Sequence, residues 1–255
     1  MIGILFEVFL ISLAIQIVFF TVAYLYKTDK VTDLSYGLTF IIISIIYLFG
    51  STLKAPHIML SSLVIIWGIR IVLYLFIRIL KTEKDKRFDE FRHSFLKFGG
   101  FWLLQAISVW IIMIPAIIVL NSEYSSLNLL SFIGILVWLL GFMVEAIADQ
   151  QKYIFKSDPK NKDKWINKGF WKYSRHPNYF GEILIWTGIF IFSIPYLSGY
   201  LWVSIISPIY IAVLLIFVSG IPPLEKKYDE KYKDNSEYQN YKNKTSILIP
   251  LPKSS

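Results

Sequence analysis

Apolar residues in this chain arrive in long blocks, not in the alternation of a half-buried strand or the stripe of a surface helix. Seven stretches, 2–26, 34–53, 58–80, 98–120, 127–148, 178–198 and 201–221, stand apart from the rest. Each lies near the ~20 residues with which a helix crosses a hydrocarbon layer of ~30 Å. The pattern predicts an all-α, polytopic membrane bundle of about seven transmembrane helices. The loops between them are short, so residues 1–255 read as one integral membrane domain with a cytosolic tail at 222–255. The first block has no basic n-region and no small-residue cleavage site, and is expected to be retained as a span.

Composition agrees with that pattern. Hydrophobic residues make up 55% of the chain and charged residues 17%, against about a quarter in soluble domains. The mean hydropathy is +0.55. There is no cysteine, which excludes disulfides, thiolate metal sites and cysteine nucleophiles. No metal site is expected.

The net charge of +8 is placed by loop. Lys27 and Lys30 occupy the first loop and Lys54 the second; the third holds six basic residues and the fourth none. The fifth holds eight, the sixth none, and the tail after Ile221 seven. By the positive-inside rule the N-terminus is outside and the C-terminus cytosolic. The charge thus reports topology and attraction to anionic lipid. No groove-reading motif accompanies it, so a nucleic-acid partner is not expected.

In the third loop Phe88, Phe91, Phe95 and Phe98 recur at helical spacing and predict a short amphipathic helix at the membrane surface. Gly99-Gly100 is expected to break it before the fourth span. In the tail, Tyr228, Tyr232, Tyr238 and Tyr241 are dense for a segment without structure, since disordered tails are poor in aromatics. The tail is therefore expected to fold against the rest.

Ionisable residues inside a bilayer are costly and each asks for a reason. Glu7 is close enough to the outer interface to snorkel. Arg70 and Arg78 share a helix face with Tyr74. Glu145 and Asp149 lie one turn apart at the end of the fifth span, and Lys152 and Lys156 continue that stripe. The segment Ser174-Arg175-His176-Pro177-Asn178-Tyr179-Phe180-Gly181-Glu182 leads into the sixth span. Pro177 suits a first helical turn, which sets Arg175 and His176 at the positive end of a helix, a ready anion site. Asn178, Glu182 and Trp186 follow on one face, and Gly181 admits a neighbouring backbone or a ligand. The alternative is an ordinary interfacial cluster that anchors a span.

This segment resembles the signature of a bacterial membrane family related to the C-terminal half of steroid 5-alpha-reductases. Isoprenylcysteine carboxyl methyltransferases and the sterol Δ14- and Δ7-reductases are more distant relatives. The likeness extends to Trp67-Gly68-Ile69-Arg70, Phe101–Ala106, Asp149–Lys152, and the tail pattern Leu224-Glu225, Tyr238 to Tyr241, Thr245 and Pro250. It implies a buried NADPH held by residues matching Glu145, Asp149, Lys156, Tyr173, Asn178 and Glu182, with Tyr179, Glu225 and Tyr241 also at the cofactor. Lys152, Lys156, Lys172 and Arg175 are expected to meet its phosphates. Tyr74, with Asp33 or Tyr36, stands nearest to the reductases' catalytic tyrosine and glutamate.

Arg175-His176-Pro177 itself resembles the methyltransferases, in which these residues help hold S-adenosylmethionine. Gly181-Glu182 favours the reductases, and Glu225-Lys226 replaces the paired glutamates of the methyltransferase tail. The resemblance thus implies an NADPH-dependent reductase of a lipophilic enone or similar double bond. The alternatives are a methyltransferase of a membrane-associated acceptor and a non-catalytic lipid-binding membrane protein. The expected partners are the bilayer and a lipophilic small molecule.

The topology is testable because the native chain has no cysteine. A cysteine placed at Ser125 is expected to react with an impermeant thiol reagent from outside the cell, and one at Ser157 is not. The reverse labelling would invert the arrangement.

Overall fold

A computed structural model describes residues 1–28, 30–81, 94–124 and 126–252, and only the backbone of Asp33 and of residues 78–81. Among the described residues the chain is helical, with one isolated bridge and no strand. In lipid this follows from the need of every backbone N–H and C=O for a partner inside its own segment.

Helices α1 (Ile2–Leu25), α2 (Thr32–Phe49), α3 (Ala55–Lys81), α4 (Phe95–Leu120), α5 (Leu129–Ser157) and α6 (Pro177–Ser193) follow in order. Then come α7 (Ile206–Val213), α8 (Ile221–Lys231) and α9 (Ser236–Lys244). Six helical runs are long and apolar enough to cross a membrane, and Leu34–Phe49 is a shorter apolar helix. The chain is an integral membrane protein. The expected span 34–53 is cut short at its end. Ser51 takes the Leu48 carbonyl with its hydroxyl at 2.7 Å, and the chain turns into α3.

Two further expectations change. Gly99-Gly100 does not break the chain: α4 begins at Phe95, with the Ser94 hydroxyl accepting from the Lys97 N–H. Packing overrides the weak helix propensity of glycine there, because Phe95, Phe98 and Trp102 stand edge-on to Phe20 and Tyr24 of α1. Phe88 and Phe91, the other half of the expected amphipathic helix, lie outside the described residues. The last apolar block, 201–221, is helical but irregular. A 3-10 run Gly199–Ile205 leads into α7, and a π turn Leu214–Val218 follows it.

The chain divides into two compact units, Met1–Phe132 with Ile189–Ser207, and Ile133–Gly188 with Pro208–Ser255. In the first, α2 and α3 approach closely at Gly37 and Gly68. A Cβ on Gly68 would lie 2.7 Å from Ile41 and 3.4 Å from the Gly37 carbonyl. Small residues at crossings are how helices gain contact in lipid, where burial of apolar surface drives nothing. A buried polar chain joins three helices of this unit. Gln16 Nε2 donates to Thr39 Oγ1 at 2.8 Å, Ser35 Oγ donates to Gln16 Oε1, and Gln105 Nε2 donates to the Thr32 carbonyl.

In the second unit α5 and α6 meet backbone to backbone. A Cβ on Gly181 would lie 2.6 Å from the Glu145 nitrogen and 2.7 Å from the Gly141 carbonyl. A Cβ on Gly188 would lie 2.6 Å from the Trp138 nitrogen and 2.7 Å from the Gly134 carbonyl. The approach that Gly181 allows is therefore that of a neighbouring helix. Gly181→Ala should force the helices apart and cost about 1–3 kcal/mol, the usual range for overpacking. Gly100→Ala, where an added methyl meets nothing within 4 Å, should not destabilise. Thermal unfolding in detergent reads the difference.

Candidate functional site

The site is built where the segment before α6 is pinned from two sides. Gly169 adopts a positive φ of 57°, leaving room for Gln151. The Gln151 side chain accepts from the Phe170 N–H at 3.0 Å, and Trp171 Nε1 donates to the Ala148 carbonyl at 2.9 Å. Both bonds tie the segment to α5. On its other side, residues 246–251 run alongside it. The Arg175 N–H donates to the Ser246 carbonyl at 2.8 Å, and the Ser174 hydroxyl donates to the Leu248 carbonyl at 2.6 Å. Ser174 Oγ also accepts from the His176 N–H at 3.1 Å. Pro177 then opens α6, where its missing N–H costs nothing.

The tail supplies the facing wall. Asn235 caps α9 by accepting from the Tyr238 N–H at 2.9 Å. The Tyr241 hydroxyl donates to the Trp171 carbonyl at 2.8 Å. The tail is thus folded onto the segment before α6, as its aromatics imply. Between them lies a pocket of about 320 Å³, counting the open solvent in its mouth. Its aromatic walls are Trp165, Trp171, Tyr228, Tyr238 and Tyr241, and its polar groups are Arg175, His176 and Glu225.

Glu225 organises those polar groups. Its carboxylate meets Arg175 Nη1 at 3.0 Å and His176 Nε2 at 2.8 Å. Lys242 stands 3.9 Å away and is itself paired with Asp229 at 2.5 Å. His176 is 2% exposed. Burial pushes its imidazole below the ordinary value of 6.5, against the opposing pull of Glu225, so the ring is neutral at neutral pH. Among the described residues its buried Nδ1 has no hydrogen-bond partner, and neither has Asn178 Oδ1. Burial also raises the Tyr238 and Tyr241 phenols, which stay protonated.

The structure therefore gathers Arg175, His176, Glu225 and Tyr241 at one pocket, and Tyr179 stacks on the His176 ring at 5.6 Å between centroids. Glu145 and Asp149 are buried on α5, with Glu145 against Gly181 at the start of α6. Asn178 and Glu182 occupy the first turns of α6, half-buried. Lys152 lies over the Trp171 ring at 4.7 Å, and Lys172 over Tyr173, which is largely exposed. Lys156 donates to the Lys164 carbonyl. Sequence reasoning did not single out Trp165, Trp171 or Lys242 for the site. It saw the tyrosines as a sign of a folded tail, and their shared wall needs the α8–α9 geometry to be visible.

The three catalytic candidates belong to the first unit. Tyr36 is edge-on to Phe40 at 5.1 Å, the Arg70 guanidinium lies 6.0 Å from the Tyr74 ring, and the Asp33 side chain is outside the described residues. Among the described residues no cluster of three or more His, Asp or Glu suits a metal ion.

Fold and pocket together define a polytopic α-helical membrane protein with an aromatic-walled polar pocket beside its sixth helix. The family described as "Protein of unknown function (DUF1295)" matches residues 19–245, and the chain belongs to that steroid 5-alpha-reductase-like membrane family. The chain is also similar to the Delta(14)-sterol reductase of Arabidopsis thaliana, 32% identical over 146 residues. That match covers 53% of this chain and 33% of the plant protein, so the chain spans about a third of its relative's length. No solved structure matches.

The depressed His176 value has a sign in stability. The neutral ring is favoured by the fold, so its contribution is complete above pH ~6.5 and is lost as the pH falls through the lower folded value. The thermal midpoint of the purified protein should fall on acidification across that window, and His176→Gln should flatten the slope there.

Proposed function

We propose that the protein is a membrane-embedded, NADPH-dependent reductase of a lipophilic enone or related double bond. The carrying observation is the similarity to a sterol reductase over half of the chain, within a steroid 5-alpha-reductase-like family. The lining of the pocket offers the kinds of group that a nucleotide uses. It combines flat aromatic walls with buried polar atoms that lack partners among the described residues, His176 Nδ1, Asn178 Oδ1 and Arg175 Nε. NADPH, when bound, supplies hydride to the substrate's electrophilic carbon. The protein's part is to hold the dinucleotide with Tyr173, Arg175, His176, Asn178, Tyr179, Glu182 and the tail residues Glu225 and Tyr241. Glu145 and Asp149 support that face from α5. Tyr74, with Asp33 or Tyr36, polarises the substrate carbonyl as negative charge develops on it. The cofactor enters from the cytosol, the side to which the basic loops and the tail are assigned with the N-terminus outside. The lipid is admitted from the bilayer, and residues 1–255 act as one domain.

Because Arg175 is already paired with Glu225, the burden of binding phosphate falls on Lys152, Lys156 and Lys172. The same pairing favours a second reading. A pocket whose main cation and anion neutralise each other suits S-adenosylmethionine, which carries one carboxylate and one sulfonium, and a methyl transfer to a membrane-associated acceptor.

Calorimetry with NADPH, NADH and S-adenosylmethionine separates the readings. The reductase should bind NADPH, and Lys152→Ala or Lys156→Ala should weaken NADPH by about tenfold or more while sparing NADH, as expected for a lost charge-assisted contact. Binding of S-adenosylmethionine alone would make the protein a methyltransferase. Silence with all three would leave a non-catalytic lipid-binding protein.

A further inference from the structure

The His176 ring is held in a way that bears on what the pocket accepts. Its backbone N–H is bound by Ser174 Oγ, its face lies parallel to Tyr179 at an interplanar angle of 4°, and its Nε2 is 2.8 Å from Glu225. The carboxylate stands beside Arg175 and within 3.9 Å of Lys242. An ionised carboxylate has no proton to give, so the Nε2 position of a neutral ring must carry the hydrogen and donate it. The remaining lone pair is then on Nδ1, which is buried without a partner. A buried acceptor left unmade costs more than a made bond returns, and among the described residues nothing meets Nδ1.

We propose that Glu225 is a positioning residue that fixes His176 in the Nε2–H form, so that Nδ1 is an obligate acceptor that selects ligands bearing an N–H or O–H donor at that point. A nucleotide presents such donors as an amino group, a carboxamide or a ribose hydroxyl. This deepens the cofactor reading above and rests on it for the identity of the ligand. Glu225 acts at the cofactor site through His176 and Arg175. Its two oxygens are spent on His176 and Arg175.

A pH dependence follows from the same geometry. Protonation would place a hydrogen on Nδ1 and turn the acceptor into a donor facing a donor. The groups acting on the ring are Glu225 from α8, which favours protonation, and Lys152 from α5 and Arg175, which oppose it together with burial. Lys242 of α9 acts through Glu225, and Tyr179 covers the face of the ring.

The test uses the full chain in detergent. His176→Gln keeps a donor near the Nε2 position but removes the acceptor at Nδ1, whereas His176→Asn sets an amide atom where Nδ1 stood. NADPH, or S-adenosylmethionine if that is the cofactor bound, should lose about tenfold or more in affinity with the first variant. The second should recover most of it. Wild-type affinity should fall on acidification with a one-proton slope that the Asn variant lacks. Equal binding by both variants, or a slope unchanged in the Asn variant, overturns the proposal. If the wild type binds neither cofactor, the function proposed above fails, and nitrogen NMR of labelled histidine still judges the positioning. The His176 signal, assigned by its loss in His176→Gln, should show a neutral Nε2–H ring, and a mixture of tautomers in the paired variant Arg175→Leu with Glu225→Leu. A mixed or Nδ1–H ring in the wild type overturns it.

Discussion

Glycine against glycine is the contact from which the second unit is built. Gly141 and Gly181, and one heptad further Gly134 and Gly188, bring the backbones of α5 and α6 together at two points. In lipid no burial of apolar surface pulls two helices together, so this closeness has to come from van der Waals contact at small residues. The cost of disturbing it is high because the facing atoms are backbone and cannot rotate aside. Once α6 is seated on α5, its first turn and the segment leading into it have one place to go. Gln151 and the Ala148 carbonyl then hold that segment through Phe170 and Trp171.

Polar chemistry in this chain is distributed by solvent. Within the first unit, Ser12, Gln16, Ser35, Thr39 and Gln105 are buried and mostly satisfy one another or backbone carbonyls. They are neutral, so a hydrogen bond each is enough. The linked charges of the pocket sit in the loop before α6 and in α8 and α9, where Arg175, Glu225, Lys242 and Asp229 form a series. A buried ion pair adds little net stability once desolvation is counted, yet removing one partner strands the other. Such a series serves better to define one geometry than to stabilise the fold.

Much of the membrane architecture is legible in the sequence because hydrocarbon thickness acts on length and composition alone. The limits of that legibility are local. The second span ends early because Ser51 captures a carbonyl, and α4 runs through Gly99-Gly100 because five aromatic rings pack around it. The irregular turns after Gly199 leave no trace in hydropathy, which averages over them. At the site, Arg175, His176 and Pro177 stand out as polar and helix-opening residues beside an apolar block, and Glu225 and Tyr241 through a tail pattern. Trp165 and Trp171 read as ordinary interfacial aromatics, and Lys242 as one basic residue among many. Their role depends on the folding of α8 and α9 back onto residues 165–176, a long-range arrangement that no local pattern encodes.

The position of the pocket walls along the chain has a consequence for biosynthesis. Half of the pocket comes from residues 225–241, and the clasp at Ser246 and Leu248 follows them. Domains form from the N-terminal side as the chain emerges from the ribosome, so every span has been made before these residues exist. Until they arrive, Arg175 lacks its carboxylate and His176 its hydrogen-bond partner. Insertion into the membrane therefore precedes completion of the pocket, and a translating ribosome carries a nascent chain that is anchored while its pocket is still open on the tail side.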